Sequence, residues 1–227
     1  DDGYLYIKKK ASPCTIKEDT SSDLPANCYF SNSNHIDKIE YYFRIEPIIW
    51  EIVNTEETNN VAYLVSVSSL IAMPFNTTGS SEYNNSDIKK FLNGGFLDSA
   101  FVGATQKNKI MPTNIKTAYK NDNGFNFNDV TVYDENKEFG EYVFIPSCHD
   151  YTTYTTADWL KYASDYAGAT GAIGADKKEK DRITSYCWLR TNINYDKEVY
   201  CLIANKLNKK QVTYKMISVV PALFISL

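Results

Sequence analysis

A thiol, an imidazole and a carboxylate stand side by side at Cys148-His149-Asp150. These are the groups of a thiol hydrolase: a sulfur to attack, a base to take its proton and an acid to orient the base. Adjacent positions rarely bring nucleophile and base within hydrogen-bond reach, and catalytic Cys and His normally come from distant parts of a chain. The expectation is a loop with an incidental trio, in which Cys148 and His149 are weak catalytic candidates. His35, the only other histidine, lies in a polar N-terminal stretch.

Metal chemistry finds little support. Zinc needs four ligands at characteristic spacing, and the chain has neither a C-x-x-C nor an H-x-x-x-H pattern. Asn121-Asp122-Asn123-Gly124, followed by Asn126, Asn128 and Asp129, offers hard oxygen ligands around a glycine turn. Asp122, Asn126 and Asp129 are thus weak calcium candidates, although Val132 stands where an EF-hand loop needs a bidentate glutamate. A solvated Asn/Asp loop accounts for the same residues. The glycines from Gly168 to Gly174 follow a predicted helix instead of a strand, so they read as a helix stop and not as a phosphate loop. No cofactor is expected.

Binding is better represented than catalysis. Eighteen tyrosines, 11 phenylalanines and 3 tryptophans exceed what one core should absorb. Tyr151, Tyr154 and Trp159 gather around a Thr-rich stretch, while Tyr119, Phe125 and Tyr133 punctuate an Asn-rich one. Rings beside amides suit a sugar face or a protein partner, the ring covering apolar area and the amide supplying hydrogen bonds. Ordinary packing is the competing reading of the same rings.

Composition narrows the partners. With 24 basic and 28 acidic residues the net charge is -4, and the basic residues are scattered. Nucleic acid, which needs a basic stripe to neutralise phosphates, is not an expected partner. The longest apolar run, Met216 to Leu227, falls short of the roughly 20 residues of a membrane helix, so this segment should not insert. Asp1-Asp2-Gly3-Tyr4 has no signal-peptide pattern. An extracellular or cell-surface protein would have lost its leader ahead of this point. Five cysteines allow at most two bridges and leave one thiol over. Cys14 and Cys28 bracket a short polar loop that a disulfide could close, contributing roughly 3 kcal/mol. Cys148, Cys187 and Cys201 read as small buried hydrophobes.

The elements that must position these groups follow from pattern. Residues 1–36 read as a polar extension on the core, and residues 37–227 as a single domain. Tyr41 to Val53 and Val61 to Val67 are rich in aromatic and β-branched residues and flank Thr58-Asn59-Asn60, which predicts a hairpin. Pro47 marks an edge or a bulge. Ser86 is a predicted N-cap, and Asn93-Gly94-Gly95 should break the helix that it starts. Tyr142 to Ile145 reads as a buried strand and Ala157 to Ala167 as a helix. Tyr186 to Leu189, Val199 to Ala204, Gln211 to Met216 and Ser218 to Ile225 read as closing strands. Strands and helices in separate runs indicate α+β, mainly antiparallel sheets with two or three short helices.

Several blocks together resemble a family of uncharacterised bacterial domains, common in secreted or surface proteins of low-GC Gram-positive bacteria. They are Phe43 to Val53, Ser86 to Asn93, Phe96 to Phe101, Val143 to Ser147, Asp165-Tyr166-Ala167, the Trp188-Leu189-Arg190 block and the closing Pro221-Ala222-Leu223. The resemblance runs from about Tyr41 to the C-terminus. It implies architectural roles for Trp50, Trp188, Arg190 and Pro221, and its closing pattern is similar to that of C-type-lectin-like and sulfatase-modifying-factor domains. One departure is Val220, which stands where the family's closing block carries arginine. The resulting expectation is a non-catalytic extracellular ligand-binding or adhesion module, its partner a glycan or a surface protein. The alternatives are a hydrolase, either metal-assisted or using the thiol of Cys148 or Cys187, and a structural protein-interaction domain.

Overall fold

The computed structural model describes residues 5–10, 40–101, 103–113, 119–120, 141–179, 182–193, 197–203 and 205–227. Its architecture is α+β, with mostly antiparallel sheets and short helices.

The chain opens with a two-stranded antiparallel ribbon, β1 (Tyr6–Lys10) against β2 (Glu40–Arg44). Pro47 lies in the break between β2 and β3 (Trp50–Glu56), as a residue without a backbone donor must. The predicted hairpin forms between β3 and β4 (Val61–Ser66), closed by the turn Glu57–Asn59 with Asn60 at φ 53°. Asparagine tolerates that left-handed conformation better than most residues. Pairing shifts by one residue between Ile52 and Asn54, a bulge that bends β3. β4 is buried along its whole length, which explains why Val61-Ala62-Tyr63-Leu64-Val65 shows no polar alternation.

Two short strands, β5 (Ser68–Ser69) and β6 (Ile71–Ala72), precede the helical region. Ser86 caps α1 (Asp87–Phe91), its hydroxyl accepting from Lys89 N at 3.0 Å. A wide turn over Leu92–Phe96 kinks at Gly94 before α2 (Leu97–Ala100). α3 (Ala104–Lys107), β7 (Ile110–Met111) and β8 (Tyr119–Lys120) follow. The next elements are α4 (Cys148–Thr153), β9 (Tyr162–Ala163), α5 (Asp165–Ala169), β10 (Gly174–Glu179) and β11 (Arg182–Ser185). The chain closes with β12 (Cys187–Ile193), β13 (Glu198–Ile203), β14 (Lys206–Gln211), β15 (Ser218–Val219) and β16 (Ala222–Ser226).

The C-terminal run belongs to two sheets. β15 lies between β12 and β6 in one sheet, and after Pro221 the chain crosses to place β16 between β4 and β7 in another. Pro221 has no N–H to donate, and its carbonyl accepts from Ser66 N at 2.9 Å. Trp188, fully buried, donates Nε1–H to the Met73 carbonyl at 2.9 Å. Val220 is also buried, so an apolar side chain suits that position in this chain.

Three expectations need correction. Tyr142 to Ile145 is not a strand; within it Phe144 makes an isolated bridge with Ala222, and Glu141, just ahead, makes another with Thr113. Ala157 to Ala167 is not one helix. Tyr162 and Ala163 pair with β11 and β5, and Ser164 then caps α5 by accepting from Ala167 N at 3.1 Å. Helical spacing of Trp159, Tyr162 and Tyr166 was therefore coincidental, because sheet pairing and the cap decide the backbone here. The strand expected over Gln211 to Met216 lies earlier, at β14, with the following residues in turns. β14 is an outer strand carrying Lys206, Lys209 and Lys210, charges that discourage edge pairing with another chain.

The fully buried Leu223 sits on β16, which joins β4 to β7. Leu223→Ala should cost about 2–5 kcal/mol, read as a lower urea midpoint with unchanged slope. An unchanged midpoint would show that this strand is not central.

Candidate functional site

Arg190 of β12 is 6% exposed, and a buried guanidinium requires partners. Its Nη1 donates to the Ile145 carbonyl at 2.7 Å and to Asp150 Oδ2 at 2.8 Å. The guanidinium also lies over the Phe144 ring, 5.2 Å from the centroid. Asp150 is held in turn by a capping box: Ser147 Oγ accepts from Asp150 N, and Asp150 Oδ2 accepts from Ser147 N at 2.7 Å. Two further bonds tie the same segments, from Arg190 N to Pro146 O and from Cys148 N to Thr191 Oγ1, both 2.9 Å. Burial, and next the negative charge of Asp150, push the Tyr63 phenol well above its ordinary range. For Tyr83, burial and then Glu141 act in the same direction.

Cys148-His149-Asp150 is therefore the first turn of a helix and not a loop. Cys148 is buried, and that burial pushes its thiol up to about 12. His149 faces solvent, its Nε2 3.3 Å from Thr153 Oγ1. Asp150 is engaged by Arg190 and the cap. A nucleophile–base–acid relay needs all three groups turned towards one another, and this turn sends them to three environments. Cys187 and Cys201 are buried as well, and desolvation pushes each thiol up to about 12. The capping signature Ser147-x-x-Asp150 was readable in the sequence and explains the trio better than catalysis does.

Three of the candidate binding rings are brought together. Tyr151 and Trp159 meet edge to face at 5.9 Å, and Tyr154 tilts against Tyr63 at 5.5 Å. Their polar tips are used internally: Tyr151 Oη donates to Asn205 O at 2.6 Å and Trp159 Nε1 to Tyr154 O at 2.9 Å. Trp159 is buried, while Tyr151 and Tyr154 are half-buried. Tyr119, on β8, pairs in parallel with Asn192 of β12. Phe125, Tyr133, Asp122, Asn126, Asp129, Cys14, Cys28 and His35 lie outside the described residues. Among the described residues no group of three or more His, Cys, Asp and Glu side chains could hold a metal ion. Nor is any described helix long and apolar enough to cross a membrane.

Of the architectural residues, Trp188 and Pro221 are buried and Trp50 stacks on Phe101 at 6.2 Å. Sequence reading missed two ion pairs. Lys161, almost fully buried, reaches Glu51 Oε2 at 2.9 Å, and Glu51 Oε1 accepts from Asp158 N. Lys89 pairs with the buried Glu141. Neither has a local signature, since their partners are far apart in sequence.

Exposed apolar groups occur on and beside the ribbon and β3. Leu5, Ile7, Tyr42, Ile45, Ile49 and Ile52 are between 42% and 74% exposed. Ile45 N donates to Leu5 O at 2.8 Å, and Phe43 packs edge to face on Tyr166 of α5. Among the described residues β3 pairs only with β4, leaving its other edge without a strand.

The family model described as Domain of unknown function (DUF6273) matches residues 59–227. The chain belongs to that family. The ribbon and all of β3 precede the matched residues, whereas the Arg190 junction and every described cysteine fall within them. Comparisons with curated proteins and with solved structures returned no match.

The three described thiols should resist iodoacetamide at pH 7.5 in the folded protein and react only on unfolding. Fast alkylation of one of them in the folded state would contradict the burial and restore a nucleophile. The same burial sets a pH dependence. Below the ordinary thiol value of 9.0 both states hold the protons; between there and about 12 only the folded state does. Stability falls across that window as pH rises, by at most about 1.4 kcal/mol per pH unit for each thiol. Urea midpoints from pH 8 to 10 should fall more steeply for the native chain than for a Cys148→Ala/Cys187→Ala/Cys201→Ala variant. Parallel slopes would contradict the assignment.

Proposed function

We propose that this chain is a non-catalytic ligand-binding or adhesion module of an extracellular or surface protein. The observation that carries the reading is the exposure of Leu5, Ile7, Ile45, Ile49 and Ile52, together with a β3 edge that no strand pairs among the described residues. Exposed apolar groups suit an interaction surface, and a strand edge that no described strand pairs offers backbone donors and acceptors to a partner. A protein partner suits this surface best. The buried thiols and the engaged Asp150 weigh against the hydrolase alternative. The extracellular setting and the C-type-lectin-like outline rest on the resemblance of the sequence blocks.

A glycan ligand is the second reading, favoured by one observation. Half-buried Tyr151 and Tyr154 adjoin the exposed Thr153, Thr155, Thr156 and Asp158, a mixture of ring faces and polar groups that sugars use.

Binding to a glycan array and to purified surface proteins tests both. Ile49→Glu with Ile52→Glu should weaken protein binding at least about tenfold, or roughly 1.4 kcal/mol, at an unchanged melting temperature. Protein binding that survives the double substitution would contradict the apolar-surface reading. Loss of glycan binding on Tyr151→Ala alone would move the site to the aromatic loop.

A further inference from the structure

An amine, a primary carboxamide and a buried carboxyl meet beside α1. Lys89 Nζ lies 3.2 Å from Asn84 Oδ1 and 2.5 Å from Glu141 Oε1. Each group is held from fixed backbone. Glu141 exchanges both backbone bonds with Thr113 at 3.0 Å, and Asn93 Oδ1 accepts from the next two amides, Tyr142 N and Val143 N. Asn84 sits in the turn Tyr83–Asn85, and Lys89 N is bonded to the Ser86 cap. Tyr83 and Ile88, fully buried, flank Asn84 and Lys89 in the chain, and Glu141 itself is 4% exposed. Water has little access to the carboxyl.

We infer that Lys89 and Asn84 are a site of intramolecular isopeptide bond formation, with Glu141 as the proton carrier. The Glu141 carboxylate takes a proton from the Lys89 ammonium that it contacts. The freed lone pair on Nζ attacks Asn84 Cγ, one bond beyond the oxygen that Nζ already touches. Glu141 then returns the proton to Nδ2 and takes the second proton from Nζ, the Cγ–Nδ2 bond breaks, and ammonia leaves, carrying that second proton away as ammonium. A new Nζ–Cγ amide remains, with no change of oxidation state and no co-reactant. Held reactants and a contacting acid–base group are the two sources of rate that such a step needs. The reaction occurs once per chain, so slow chemistry suffices. The product would covalently fasten the turn ahead of α1 to the helix, independently of the binding surface proposed above.

Mass spectrometry of the full chain decides it. The intact mass should fall short of the sequence mass by one ammonia. After denaturation and cleavage before Asp87, the peptides carrying Asn84 and Lys89 should remain joined, with fragment ions placing the link on those residues. Glu141→Gln and Lys89→Arg should each restore the full mass and separate the peptides; either variant alone is enough if the other does not fold. A native chain of full sequence mass would overturn the inference. So would an ammonia loss carried on an unlinked peptide, which signals a cyclised asparagine.

Discussion

A buried guanidinium that must be satisfied organises this domain. Removing Arg190 from water costs several kcal/mol unless its charge and its N–H groups find partners. The partners come from one stretch: the Ile145 carbonyl, the Asp150 carboxylate and the Phe144 ring. That stretch is not a strand, yet it touches both main sheets. Phe144 exchanges two backbone bonds with Ala222 of β16, at 2.9 and 2.7 Å, and Pro146 accepts from Arg190 N of β12. Residues 144–150 therefore sew the sheet containing β16 to the sheet containing β12, with the Arg190–Asp150 pair as the knot.

Chemistry at Cys148-His149-Asp150 is constrained by that knot. The capping box that aims Asp150 at Arg190 also turns Cys148 into the core and leaves His149 in solvent. The same geometry that stabilises the junction removes the relay, and desolvation keeps the Cys148 proton in place. The exposed apolar residues of the ribbon and β3 lie wholly ahead of the residues shared with the family.

Much of the fold was legible because local rules governed it. The hairpin at Asn60, the Ser86 cap and the break at Gly94 each rest on one residue with a conformational or capping preference, whereas Ser218 to Ile225, read as one strand, splits at Pro221 between two sheets. Legibility failed where tertiary contacts overrode pattern. Trp159, Tyr162 and Tyr166 kept helical spacing, but sheet pairing of Tyr162 and Ala163 and the Ser164 cap set the backbone instead. Arg190 was recognisable as an internal pairing residue, while its partner was not, because Asp150 is 40 positions away. Still larger separations in sequence hid Glu51 from Lys161 and Glu141 from Lys89. Of the rings expected to face a ligand, Trp159 is buried and Tyr151 and Tyr154 are half-buried, since a ring's type says little about which side of it is covered.

The most direct test is a double-mutant cycle on stability, using Arg190→Met, Asp150→Asn and their combination. If the pair is the knot, each single change leaves a buried charge or carbonyl without its partner, and the double variant recovers part of the loss. The coupling should reach about 2 kcal/mol or more, within the range for residues sharing one network. Additive effects within about 0.5 kcal/mol would show that Arg190 and Asp150 act independently, and that the two sheets are joined by something else.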